Sequence, residues 1–202
     1  MSEPLLSFEP ATGEELWRGA VSNVDDEVAI ARRAWPEWAA KPVTFRTETL
    51  RRFADRVKAE GEVLADLIAR ETGKPLWEAR TEVESVAAKV DISVKSYGER
   101  TPNRRIEGAM GLRNAVRHKP HGALAVLGPY NFPAHLPNGH IVPALIAGNS
   151  VLFKPSEKTP AVGAKLVELF HSAGVPQEVL RLIVGGPETG KALAGHAGID
   201  GL

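Results

Sequence analysis

Hydrophobic and polar positions fall into three regimes along this chain, and each predicts a different kind of structure. From residue 24 to residue 97, apolar side chains recur every three or four positions, the period of one helix face. Between residues 101 and 121 no period survives. From residue 122 onward, short unbroken apolar runs alternate with longer helical stretches, as buried parallel strands and crossover helices do.

In the helical regime, Val24, Val28, Ala31 and Trp35 mark a first helix. Asn23 stands at its N-cap, and Asp25, Asp26 and Glu27 fill a first turn whose dipole favours acids. Pro36 is expected to end this helix or mark its last turn. Trp35 and Trp38 read as core or domain-contact aromatics rather than a ligand cage. A second helical stretch runs from Thr44 to Arg70, with Leu50, Phe53 and Val57 on one face. Gly61 weakens it midway, and Val63, Leu64, Leu67 and Ile68 resume it. Gly73 then suits a C′ position and Pro75 the start of a third helix. There Leu76, Ala79, Val83, Val86, Val90, Val94 and Tyr97 form an apolar stripe, opposite a face (Glu78, Arg80, Glu82, Glu84, Lys89) that reads as solvated. Ahead of these helices, Ser7 to Val21 carries turn signals at Pro10 and Gly13 and reads as an extended arm.

Thr101 to His121 is locally basic through Arg104, Arg105, Arg113, Arg117, His118 and Lys119, and is expected to be an exposed β excursion rather than an anion site. Beyond it, Ala123–Leu127, Ser150–Phe153 and Leu180–Val184 are predicted strands. Ile141–Ala147, Pro160–Ala173 (stopped by Gly174) and a short segment near Lys191–His196 are predicted helices. The order β-α-β-α-β-α, with connections that suit right-handed crossovers, predicts an α/β fold: a helical N-terminal part feeding a partial Rossmann-like parallel sheet. Residues 1–100 are then the arm and helices packing on the nucleotide domain, 101–121 the β excursion, and 122–202 the first half of that domain.

Composition narrows the function. The chain has 202 residues, 25 basic and 25 acidic side chains, and no cysteine. Balanced charge gives no footprint for a nucleic-acid partner. MSEPLLSFEP has neither a basic nor an apolar signal-peptide region, and no apolar run approaches the roughly 18 residues of a membrane span. A cytoplasmic protein without membrane contact is the expectation. Without cysteine there are no disulfides and no thiolate metal sites, and the six histidines have no ligand set at metal spacing, so no metal is expected. His135 and His140, flanking the helix after Asn131, read as structural hydrogen-bonding groups.

Candidate chemistry gathers in GALAVLGPYNFPAHLPNGHIVPALIAGNSVLFKPSE, residues 122–157. Two loops follow the carboxyl ends of strands expected to be parallel neighbours, the edge where open α/β sheets bind ligands. Asn131 in the first loop offers a carboxamide donor for a developing oxyanion, though an asparagine satisfying a turn is the plainer use. Lys154 and Glu157 in the second are an i,i+3 pair that would ordinarily be a surface ion pair. At a strand's edge they can instead grip a ribose, and a carboxylate there repels a 2′-phosphate, which favours NAD over NADP. GGPETGKA, residues 185–192, nearly fits a phosphate-binding P-loop. Ala192 lacks the magnesium-binding hydroxyl, Pro187 removes a backbone donor, and Glu188 sets negative charge beside the phosphates.

Gly-Pro-Tyr-Asn-Phe-Pro (128–133) followed by Phe-Lys-Pro-Ser-Glu (153–157) resembles the aldehyde dehydrogenase superfamily. Pro10-Ala11-Thr12-Gly13, Glu71-Thr72-Gly73-Lys74-Pro75 and Gly185-Gly186 extend the likeness along the whole chain. The run from Pro129 to Pro160 is similar in particular to the group acting on N-succinylglutamate 5-semialdehyde in arginine catabolism. The resemblance implies an NAD-dependent oxidation of an aldehyde to a carboxylate. It implies Asn131 as the oxyanion donor; Pro129, Tyr130, Lys154 and Glu157 at the cofactor; and Gly186, Pro187 and Gly190 as the wall of the adenine pocket. Residues 101–121 resemble the start of an oligomerisation hairpin, which implies a homo-oligomer. The family's cysteine nucleophile and general-base glutamate are expected beyond Leu202, so that this chain is an N-terminal portion. The alternatives are a non-catalytic NAD-binding module or one half of a split enzyme. Three strands without the rest of their sheet are further expected to be marginally stable or to aggregate.

Overall fold

A computed structural model describes residues 3–202. The N-terminal arm is a hairpin, β1 (Leu5–Phe8) paired antiparallel with β2 (Glu15–Gly19). Helix α1 (Val24–Ala40) begins where Asn23 Oδ1 accepts the N–H groups of Asp25 and Asp26 at 3.0 and 3.3 Å. It does not end at Pro36 but runs on to Ala40. A proline inside a helix costs about 3 kcal/mol. Against that, Trp38 is buried and its indole N–H donates to Leu145 O at 3.0 Å. At ~25 cal/mol per Å², burying an aromatic of that size returns about 4–6 kcal/mol.

The single helical stretch predicted over 44–70 is two helices, α2 (Val43–Ala59) and α3 (Gly61–Thr72). The break falls at Glu60 (φ −104°, ψ 20°), whose N–H closes α2 on Arg56 O, so Gly61 starts a helix rather than weakening one. Gly73, at φ 76° in the left-handed region, ends α3 as its position implied. In α4 (Leu76–Arg100) the stripe Ala79, Val83, Val86 and Val90 is buried, while Leu76 at its start is exposed. Glu82, assigned from sequence to the solvated face, is buried. Residues 101–121 hold β3 (Arg104–Glu107) and β4 (Arg113–Val116), an antiparallel ribbon exposed along its length.

The remaining elements are β5 (Ala123–Leu127), α5 (His135–Ala147), β6 (Ser150–Lys154), α6 (Pro160–Ser172), β7 (Leu180–Leu182) and α7 (Pro187–Ala194). The three strands form one parallel sheet in the order β5-β6-β7. Both faces are covered, so side chains alternate between two cores. Val151 and Phe153 face a large cluster with α2 to α6, while Leu152, Ala123 and Ala125 face a smaller one with Val28, Ala31 and Leu193. Several boundaries differ from those expected, by one residue at the ends of β6 and α6 and by more elsewhere. β7 is shorter than Leu180–Val184. α7 starts four residues earlier, because Pro187 sits in its first turn after Gly186. α5 starts at its own first histidine, so His135 and His140 lie within that helix rather than flanking it. After α7 the chain returns beside β5, where Ala125 N–H donates to Gly201 O at 2.9 Å in a parallel bridge.

Candidate functional site

Register brings the two loops together. Leu127 at the end of β5 stands opposite Lys154 at the end of β6, and Gly128 N–H donates to Lys154 O at 2.9 Å. The first loop crosses closely over the second strand: a Cβ on Gly128 would lie 2.8 Å from the Phe153 ring. Both chains therefore leave the carboxyl edge of the sheet side by side.

Asn131 is exposed, and its carboxamide has no protein partner among the described residues. Its backbone is held. Lys74 Nζ donates to Asn131 O at 2.8 Å and to Glu82 Oε2 at 2.8 Å. The other carboxylate oxygen, Glu82 Oε1, accepts from Ala134 N–H (2.9 Å) and His135 N–H (3.0 Å) at the start of α5. Neither Lys74 nor Glu82 was singled out from the sequence. A signal existed, since Ala79, Glu82 and Val86 are spaced by three and four and share the buried face of α4. Pro129 is half-buried, while the exposed Tyr130 ring carries Lys158 Nζ 4.7 Å from its centroid.

Lys154 is buried at the end of β6, with its stem against α7: a Cβ on Gly190 would lie 3.6 Å from both Lys154 Cδ and Cε. Its Nζ donates to Pro155 O at 3.1 Å and lies 3.9 Å from the half-exposed Glu157 carboxylate, a long contact for an ion pair. Burial pushes the ammonium below the usual lysine range, and the Glu157 charge opposes that shift. An ammonium has three donors, so two remain for a ligand. Gly186 caps α7 with open space where a Cβ would stand, and Pro187 is exposed beside it. Lys191, which a P-loop would aim at phosphate, pairs with exposed Glu188 at 2.7 Å.

The amino ends of α5 and α6 are already filled by carboxylates. Glu82 occupies the first. Glu71, at the end of α3, occupies the second, accepting from Ala161 N–H (2.9 Å) and Val162 N–H (2.8 Å) and from the Ser7 hydroxyl. The histidines are dispersed. His171 Nε2 meets Leu180 O at 2.9 Å, whereas His135 Nδ1 is buried without a partner, so the structural hydrogen bond expected of that ring is not made there. His121 and His140 line an apolar cavity of about 610 Å³ along the flank of β5, with Leu124, Val126 and Pro143. Among the described residues no group of three or more His, Cys, Asp or Glu is placed to hold a metal ion.

A family model described as the aldehyde dehydrogenase family matches residues 2–202. The N-succinylglutamate 5-semialdehyde dehydrogenase of Sphingopyxis alaskensis is 91% identical over 202 residues, covering 100% of this chain and 42% of that protein. Two solved structures share the fold. One is the NADP-dependent glyceraldehyde-3-phosphate dehydrogenase of Bacillus halodurans complexed with NADP, at TM-score 0.92 and 28% identity, covering 98% of this chain and 44% of that one. The other is an NAD-dependent benzaldehyde dehydrogenase of Corynebacterium glutamicum, at TM-score 0.89 and 26% identity, with the same coverage of 98% and 44%. The chain thus spans less than half the length of the relatives it matches.

Proposed function

The chain belongs to the aldehyde dehydrogenase family, and we propose that it forms the cofactor-gripping and oxyanion-holding part of an enzyme that oxidises N-succinylglutamate 5-semialdehyde to N-succinylglutamate with NAD, in arginine catabolism. The likeness at 91% identity supports the substrate. Residues 1–100, 101–121 and 122–202 are its helical, ribbon and nucleotide-binding parts. The exposed apolar side chains of the ribbon, Ile106, Met110 and Leu112, support a homo-oligomer. No helix of the described residues is long and apolar enough to cross a membrane, in keeping with a small aldehyde met in the cytoplasm.

The observation that carries this reading is Lys154. A buried ammonium with unspent donors, beside Gly190 and Glu157, fits a ribose diol: the lysine donates to one hydroxyl and the carboxylate accepts from another. The negative charge of Glu157 disfavours a 2′-phosphate at that position, hence NAD rather than NADP. Gly186, Pro187 and Gly190 leave a small-residue wall on which an adenine can lie, and Pro129 and Tyr130 border the same edge. NAD, when bound, supplies the hydride acceptor. One strand over, the unpartnered Asn131 carboxamide donates N–H to the oxyanion that forms when a thiolate adds to the aldehyde carbonyl. The chain has no cysteine, so that thiolate comes from outside these 202 residues, and the family likeness implies the same of the base that activates water.

The test is a chimera in which these residues replace the matching segment of the Sphingopyxis alaskensis enzyme. It is expected to reduce NAD in the presence of the semialdehyde, and Asn131→Ala is expected to lower kcat by about 10²–10³. An Asn131→Ala chimera with undiminished kcat overturns the oxyanion assignment. A chimera that folds but turns over only other aldehydes overturns the substrate.

A further inference from the structure

A carboxamide that no side chain holds must take its aim from its backbone. Asn131 is such a group, and both ends of its loop are tied to one buried ion pair. Gly73, at φ 76°, turns the chain after α3 so that Lys74 enters the fold, leaving 10% of its side chain exposed, while that of Glu82 is 0% exposed. The ammonium bonds the carbonyl of Asn131 itself, and Lys74 Nζ also sits 4.3 Å from the centre of the Phe132 ring. The carboxylate bonds the amides of Ala134 and His135, fixing where the loop becomes helix. With Lys74 and Glu82 joined at 2.8 Å, the carbonyl end and the amide end of the segment cannot shift independently.

We propose that Lys74 and Glu82 are positioning residues that set the direction of the Asn131 carboxamide, an inference that rests on the oxyanion role given to Asn131 above. Neither touches the reacting atoms. Their effect passes through the loop backbone, where a displacement on the order of 1 Å can cost about 10² in rate.

A double-mutant cycle in the chimera separates this from a purely structural role. Lys74→Met is expected to lower kcat about tenfold to a hundredfold, with the KM for NAD unchanged because Lys154 and α7 are untouched. Made in the Asn131→Ala background, Lys74→Met is expected to cost less than about twofold, since no aim remains to be lost. Lys74→Arg, which keeps a cationic donor, is expected to recover part of the rate. The same loss in both backgrounds overturns the positioning role while leaving Asn131 its own, and so does full activity of Lys74→Met alone. An inert Asn131→Ala substitution overturns the oxyanion reading and this inference with it. If Lys74→Met does not fold, Glu82→Gln runs the same cycle, because its amide oxygen still accepts from Ala134 and His135 while the ion pair is gone. Failure of both variants to fold identifies the pair as a folding element and overturns the proposal.

Discussion

Replacing Glu71 by alanine asks how the helical part of the chain is fastened to the sheet. The amino end of α6 can be accounted for donor by donor. Pro160 has no N–H, Ala161 and Val162 donate to the Glu71 carboxylate, and Gly163 N–H closes on Thr159 O at 3.3 Å. Thr159 makes no cap with its own side chain, so the distant carboxylate stands in for one. Glu71→Ala leaves two amides without an acceptor in residues that are 4% and 0% exposed. A buried donor left unmade costs about 1–3 kcal/mol. Part of this is offset because the glutamate itself was expensive to bury, so the net loss is about 3 kcal/mol. For a chain of this length that lowers Tm by roughly 6–12 °C. Glu71→Gln keeps one oxygen, enough for one of the two amides, which bond separate carboxylate oxygens, and should lose about 1–2 kcal/mol.

Urea denaturation followed by tryptophan fluorescence checks the magnitude, with Trp38, 2% exposed, as a buried reporter. The pH dependence checks the cause. Burial pushes the Glu71 carboxyl above the usual carboxylate range, while the Ser7, Val162 and Ala161 hydrogen bonds pull the other way. The folded chain therefore holds this proton more tightly than the unfolded one. Its contribution to stability is complete below about pH 4.3 and is lost as pH rises through the raised value. Glu71→Gln should abolish that step. A Glu71→Ala chain within about 2 °C of the parent Tm, a shift of less than 1 kcal/mol, would refute the capping role.

Two further outcomes follow from the β6 edge. Lys154→Met removes a buried ammonium whose burial is unfavourable, so the chain should melt a few degrees higher while its Kd for NAD, measured by calorimetry, rises at least tenfold; a destabilised variant contradicts the desolvation argument. Glu157→Gln removes the charge set against a 2′-phosphate, so the ratio of NADP to NAD dissociation constants should fall about tenfold, and an unchanged ratio would place the discrimination elsewhere.

What the sequence carried, and what it did not, divides along the distance over which each feature is decided. The parallel strands were legible because both faces are buried, and Ala123–Leu127 is the same run in pattern and in structure. That Asn131 and Lys154 stand at the carboxyl edge of the sheet was legible, since β6 ends at Lys154 and Asn131 lies in the loop after β5. The run of α1 past Pro36 was not, since Trp38 is held by a carbonyl 107 positions away. Glu82 and Glu71 were not, because their burial depends on donors 52 and 90 positions distant. Those two carboxylates also change what the motif pattern implies. In doubly wound sheets the amino ends of the crossover helices attract phosphates. Here Glu82 and Glu71 already take the amides at the amino ends of α5 and α6, so neither end keeps a free donor for a dinucleotide's pyrophosphate. Of the three crossover helices, only α7 has an amino end with no side-chain acceptor among the described residues, and Lys154 leans on that same first turn. On the proposed reading the cofactor grip therefore lies toward β7, and the loop after β5, with no phosphate to hold, presents the Asn131 amide to the carbonyl.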